Sequence, residues 1–202
     1  MASVDLTVII PTQGRDTLWQ MLGTVPVTGG PDRIIVCIDS HKMGDDDVDT
    51  LSGAITLAHP LAIAVTHDAE HSCWGHCQTN YAMVWAREHW PNTWFVYNDD
   101  DDAFTPDAFD IIRGAIGKGH KRIPHIFQFH THWDSVLPPR ASKIKENYVG
   151  GHCLVQPCDD DRLCGLTCRY NGDWDMIQSV MEEYDNQFVF TEQVIARCRP
   201  WA

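Results

Sequence analysis

The feature that most limits the fold is Leu6-Thr7-Val8-Ile9-Ile10, a β-branched apolar run that stops at Pro11. It does not alternate between polar and apolar residues, so a strand built from it must be covered on both faces, as in parallel α/β sheets. Thr12-Gln13-Gly14-Arg15 follows as a loop, and Asp16 can cap a helix whose apolar positions include Leu18, Met21 and Leu22. After the break at Gly29-Gly30-Pro31, a second apolar run from Arg33 to Ile38 closes at Asp39-Ser40. Strand, helix, strand predicts a parallel sheet with a right-handed crossover.

The pattern continues along the chain. His41 to Asp49 is polar and reads as a loop, and Ala62 to Thr66 as a third strand. Between Gln78 and Trp90, Tyr81, Ala82, Val84, Trp85 and Ala86 recur at helical spacing. Trp94-Phe95-Val96-Tyr97 is a further strand, and Pro106 sits in the first turn of a helix carrying Ala108, Phe109, Ile111 and Ile112. Ile126 to His130 reads as a strand, Val136 to Asn147 as a polar excursion, and Gly150 to Val155 as a return to strand. Gly172-Asp173-Trp174-Asp175 opens a helix through Met176, Ile177, Val180 and Met181, followed by short terminal strands at Phe188 to Phe190 and Val194-Ile195. There is no internal repeat or low-complexity linker.

At 202 residues and 44% hydrophobic content, the chain is expected to form one domain around one core. Its 15 basic against 28 acidic residues disfavour broad binding to nucleic acid or anionic membrane, which needs Lys and Arg to neutralise phosphate. The N-terminal residues lack the basic and apolar segments of a signal peptide, and no window approaches the ~20 apolar residues of a membrane span. The expected location is therefore the cytoplasm, the host's if the protein is viral. The eight cysteines lack the paired spacing of a zinc ribbon and read as reduced, packed thiols, with no disulfides expected.

Ten of the acidic residues fall in three runs. Asp45 to Asp47 and Asp159 to Asp161 are expected in solvated loops. Asp99 to Asp102 differ, because they stand directly after a buried strand, where a cation or water must offset their mutual repulsion. Two readings are open from the residues alone: a metal site, or a solvated acidic turn preceding the helix at Pro106.

Three loops, Pro11 to Arg15, Asp39-Ser40 and Asp99 to Asp102, thus follow strands of a mainly parallel sheet, where α/β folds build ligand clefts. In this arrangement the chain resembles the GT-A glycosyltransferases of the inverting family-2 type. The likeness rests on the Val-Ile-Ile-Pro-Thr strand with Arg15 after it, the aspartate closing the second strand, Asp-x-Asp-Asp-x-x-x-Pro at Asp99 to Pro106, and an acidic residue at the head of a late helix. It implies an α/β GT-A fold, a mainly parallel central sheet flanked by helices, in a single domain over 1–202. About 1–115 would form the nucleotide-sugar donor half and about 120–202 the acceptor half.

The same resemblance implies roles for particular residues. Asp99 and Asp101 form the Asp-x-Asp pair that holds Mn2+ or Mg2+ on the donor diphosphate, with Asp102 beside them and Asp100 as the intervening residue in the donor site. Asp39 accepts from the nucleotide base, and Pro11, Thr12 and Arg15 line the nucleotide pocket. Asn80 keeps a family position for donor binding, although the usual neighbouring Arg is missing. Asp173 is the base candidate, with Gly172 where the family has Glu and Asp175 as a fallback; Asp173 can equally cap its helix. His152 is a candidate further metal ligand, and Gly150-Gly151 allow close approach of backbone to the sugar. The implied activity is transfer from a UDP- or GDP-sugar to a hydroxyl on a glycan, a small metabolite or a modified nucleobase, including a modified DNA base, with Trp133, Trp174 and Trp201 as stacking candidates. An inactive nucleotide-sugar-binding module and, less readily, a nucleotidyltransferase are the alternatives.

Overall fold

The computed structural model describes residues 4–68, 74–117, 122–159 and 165–201. Cys73, Cys164, Asp160 and Asp161 lie outside them. The first apolar run forms β1 (Leu6–Thr12), buried at every position. β2 (Arg33–Asp39) and β4 (Trp94–Tyr97) pair with it in parallel on either side, and β3 (Ala62–His67) extends the sheet beyond β2. The non-alternating runs therefore occupy the centre of the sheet, where both faces are covered, as their composition requires. Helix α1 (Thr17–Gly23) buries Leu18, Met21 and Leu22, and α3 (His76–His89) lies against β1 and β2 with Ala82, Met83 and Ala86 buried.

Beyond β4 the sheet becomes mixed. Its order is β3-β2-β1-β4-β8-β6-β9-β5, with β7 (Val136–Leu137) paired to β6 (His125–His130). β8 (Leu154–Pro157) runs antiparallel to both β4 and β6, β9 (Val189–Arg197) parallel to β6, and the short β5 (Ala103–Phe104) antiparallel to β9. Helices α4 (Ala108–Gly117) and α5 (Gly172–Glu183) bury Phe109, Ile112, Met176, Ile177 and Val180 in the shared core.

Four expectations change. The polar stretch expected as a loop to Asp49 instead starts α2 (Asp45–Ala58), with Asp45, Asp46 and Asp47 in its first turn. Carboxylates there complement the unpaired amides and positive end of the helix dipole, so this acidic run is a helix start. The two terminal strands are one continuous β9. Ile126 pairs with Phe190 and Gln128 with Val194, so the polar residues between are absorbed by a bulge in the ladder. Gly151–Cys153 form a tight helical turn before β8 begins. Finally, Cys37, Cys77, Cys153, Cys158 and Cys198 are free thiols, but Cys168 is disulfide-bonded.

Candidate active site

The carboxyl ends of β1, β2 and β4 place Pro11 to Arg15, Asp39 and the Asp99–Asp102 run along one edge of the sheet. The run divides by side chain. Asp100 is fully buried; Thr12 Oγ1 donates to it at 2.6 Å, and Arg15 pairs with its other oxygen. Asp101 pairs with Arg15 at 2.8 Å and with Arg199 Nε at 3.5 Å. Asp102 is almost buried; it accepts from the Arg199 backbone N–H at 2.9 Å and faces His152 Nδ1 at 3.4 Å. Arg199 makes that contact from a left-handed conformation, φ 45°, unusual for a non-glycine residue. Asp99 opens into the cleft.

Packing four carboxylates here has an electrostatic consequence. The Asp99 carboxyl is raised well above its ordinary range by the protein crowded around it, then by Asp102, Asp173, Asp101 and Asp100 in turn. Asp99 still reaches water at its cleft face, so the like-charge part is the firmer of these causes. Asp102 is also raised, by burial first, against the lowering pull of His152 and the Arg199 N–H. Burial likewise raises Asp100 despite Thr12 and Arg15.

A divalent cation fits this arrangement. The ligand atoms of Asp102, His152 and Cys198 lie within 4.8 Å of one another, and Cys198 Sγ is 3.4 Å from His152 Nε2. The carboxylate suits Mn2+ or Mg2+, and the imidazole and thiol are softer donors of the kind that later first-row ions favour. The structure thus brings His152 to Asp102, while Asp101 turns toward the two arginines. Gly150 has a specific part in this: a Cβ there would sit 2.7 Å from the imidazole of His152, so its space is taken by that ring.

Two cavities of about 270 Å3 each meet at Asp99. The first is lined by Thr12, Gln13, Arg15, Asp39, Gln78 and Asp101. Asp39 is nearly buried and accepts from the His41 N–H at 3.2 Å and Gln13 Nε2 at 3.4 Å. The second is lined by His76, His152, Tyr170, Asp173, Trp174 and Asn98, among others. Both amide atoms of buried Asn98 are without a hydrogen-bond partner among the described residues, which marks a polar floor. Pro11, Trp74, Asp99 and Arg199 line both cavities.

The remaining candidates sort clearly. Asn80 gives both ends of its amide to Leu166, donating to its carbonyl at 2.7 Å and accepting from its N–H at 2.8 Å, so it ties α3 to the 165–167 segment. Asp175 is held by Arg169 and Thr167, which lower its carboxyl to about 2. Asp173 lies one residue inside α5, whose N-cap position is Asn171, and its carboxylate faces the second cavity. Of the aromatic candidates only Trp174 lines that cavity. Trp201 borders a shallow hollow beside Arg15, and Trp133 is exposed elsewhere. Sequence reasoning missed His76, Trp74, Tyr170, Cys198 and Arg199. Each comes from a loop or element end and carries no periodic or motif signal.

No protein-family model and no curated protein matches the chain. Solved structures do. S. aureus TarS 1-349 is 12% identical with a TM-score of 0.66, covering 96% of this chain and 60% of that one. Mannosyltransferase PcManGT from Pyrobaculum calidifontis, in complex with GDP-Man and Mn2+, is 15% identical with a TM-score of 0.63, covering 98% and 58%. A 4-diphosphocytidyl-2C-methyl-D-erythritol synthase is 11% identical with a TM-score of 0.55, covering 94% and 90%. The chain therefore has the GT-A fold, as expected, and spans about 60% of the length of the first of these structures.

Proposed function

We propose that the chain is an inverting, metal-dependent glycosyltransferase that moves a sugar from a UDP- or GDP-sugar to a hydroxyl acceptor. The observation that carries this reading is the junction at Asp99. A polar cavity with Asp39 and Arg15 opens on one side of it, and a cavity with Asp173 and exposed aromatic rings on the other. PcManGT, bound to GDP-Man and Mn2+, shares the fold and supports the assignment of the first cavity to a nucleotide sugar.

In this mechanism Asp39 accepts a hydrogen bond from the base, and Arg15 and Arg199 lie against the diphosphate. Asp99, Asp101, Asp102 and His152 are the candidate ligands for Mn2+ or Mg2+, which when bound offsets the charge on the departing diphosphate. Asp173 takes the proton of the acceptor hydroxyl as its oxygen attacks the anomeric carbon and the bond to the diphosphate breaks. Exposed Trp74 and Tyr170, with rings 5.9 Å apart and nearly perpendicular, offer apolar faces to a sugar acceptor. The cytoplasm remains the proposed setting; no helix among the described residues is long and apolar enough to cross a membrane.

The synthase in the same fold favours nucleotidyl transfer as a second reading. Against it, the loop after β1 is Thr12-Gln13-Gly14-Arg15, without a glycine-rich phosphate cradle. The test is Mn2+-dependent release of nucleoside diphosphate from UDP-glucose, UDP-N-acetylglucosamine and GDP-mannose. Release is expected from at least one donor and should fall about 100-fold or more in Asp173→Asn. It should also be lost in Asp101→Ala. Tight donor binding with no turnover would instead identify a binding module.

A further inference from the structure

The helix that carries Asp173 begins with Gly172, where the resemblance leads one to expect a glutamate. The reason is visible in the packing: a Cβ on Gly172 would lie 2.2 Å from the Thr167 carbonyl oxygen and 2.5 Å from the ring of His76. His76 is itself buried at the start of α3, and it lines the second cavity. Its Nδ1 lies 2.7 Å from the Thr167 carbonyl. A carbonyl can only accept, so Nδ1 carries the proton, and in the neutral ring Nε2 presents its lone pair. Nε2 faces Asp173 Oδ1 at 4.0 Å.

We propose that His76 is a positioning residue for Asp173, completing a chain from the Thr167 carbonyl through the imidazole to the carboxylate. It occupies the space that the missing side chain at residue 172 leaves. The inference rests on Asp173 acting as the base. On transfer, the acceptor O–H proton goes to Asp173 while the acceptor oxygen bonds to the anomeric carbon, and the electron pair of the broken bond leaves with the diphosphate. The carboxyl O–H so formed then donates to His76 Nε2, a short movement from the resting 4.0 Å separation. Thr167 keeps the tautomer that accepts this proton. The resting carboxylate and Nε2 are both acceptors, so the imidazole acts through Asp173 only once that carboxyl is protonated, as the acceptor of its O–H.

The surroundings are compatible with that role. Asp175, the other acid near His76, is already paired with Arg169 and hydrogen-bonded by Thr167. Asp173 is thus the carboxylate left facing the imidazole in the cavity. Trp74 stands over His76 with ring centroids 6.3 Å apart, and the two rings wall the same cavity.

The test uses nucleoside diphosphate release from the UDP- and GDP-sugars named above, with donor affinity measured separately by titration. His76→Ala is expected to lower turnover about 10- to 100-fold with donor affinity unchanged, and added imidazole should restore part of the loss by entering the vacated space. His76→Asn retains an amide N–H for Thr167 but no ring nitrogen near Asp173. It should keep the wild-type melting temperature, remain slow, and serve as the folded control if the alanine variant unfolds. In the Asp173→Asn background, either substitution should add little. Wild-type turnover in His76→Asn, or a loss that multiplies with that of Asp173→Asn, would overturn the proposal. If Asp173→Asn itself turns over normally, the base assignment has failed and this inference with it. An inactive Asp173→Asn beside a fully active His76→Asn refutes the His76 role alone.

Discussion

The two sides of the aspartate run are built on opposite principles. On the proposed nucleotide side every acid but the shared Asp99 has a partner: Asp100 is held by Thr12 and Arg15, Asp101 by Arg15 and Arg199, Asp39 by Gln13 and the His41 N–H. Except for Arg199, which follows β9, these groups come from the ends of adjacent parallel strands, so their register is fixed before any ligand arrives. Where the cavities meet, Asp99 is crowded by four carboxylates, and on the other side Asp173 has a histidine at 4.0 Å and Asn98 lacks partners for its amide among the described residues. The difference teaches where binding energy can be gained. A wired surface selects a ligand by shape, whereas an under-compensated one awaits charge and hydrogen bonds that a substrate or cation can bring.

Removing the wire should have the largest effect. Arg15→Ala leaves Asp100 buried with only Thr12 to hold it. Breaking a buried pair by deleting one partner costs about 3 to 5 kcal/mol. The low end is expected here, about 3 kcal/mol in a denaturant midpoint, because Arg15 is half exposed and Thr12 still donates. A stability loss within error of zero would show that the nucleotide side is not pre-assembled by this pair, and the contrast between the two sides would fail.

Supplying the missing charge is the converse experiment. Asp99 and Asp102 titrate higher in the folded chain than in the unfolded one, burial and neighbouring carboxylates being the causes. The folded state therefore holds their protons more tightly. The stability this contributes is fully present below the ordinary carboxylate range and is lost as pH rises through the raised values. A metal competes with those protons, so Mn2+ should raise the melting temperature more at pH 8 than at pH 5. At a hundredfold excess over its dissociation constant the gain is about 2.7 kcal/mol, and Asp99→Asn should reduce it. Equal shifts at both pH values would argue that the ion sits elsewhere.

The parallel half of the fold was open to sequence reasoning because its strands are long, apolar on both faces and ended by loop residues. Leu6 to Ile10, Arg33 to Ile38 and Trp94 to Tyr97 all appear within two residues of their expected bounds. The C-terminal half was harder to read. Whether β9 is one strand or two depends on a bulge against β6, a property of the partner and not of the segment. The acidic start of α2 is ambiguous in sequence, because three aspartates suit a helix N-terminus as well as a loop. At the site, Asp39, Arg15, Asp99 and Asp173 were legible through their places after strands or at a helix head. His76, Arg199 and Cys198 were not, because each reaches the cleft across a sequence separation of about 100 residues or from a chain turn that no local pattern encodes.

The smallest effect concerns the wall that both cavities share. Gly75 precedes α3 at φ +84°, and a Cβ there would approach Pro11 to 2.8 Å. Gly75→Ala therefore meets two penalties, the left-handed backbone at about 1 to 2 kcal/mol and, in addition, the displacement of Pro11. Pro11 and Trp74 line both cavities, so a shift at this position moves them relative to Asp99 from both sides at once. The wired nucleotide side should resist the shift, because Arg15 and Thr12 still fix the loop after β1. The second cavity lacks that bracing. Donor affinity should then change little while the acceptor-dependent rate falls several-fold. An equal loss in both would mean that the two cavities share one rigid wall, and the contrast between a braced and an unbraced side would not hold at their border.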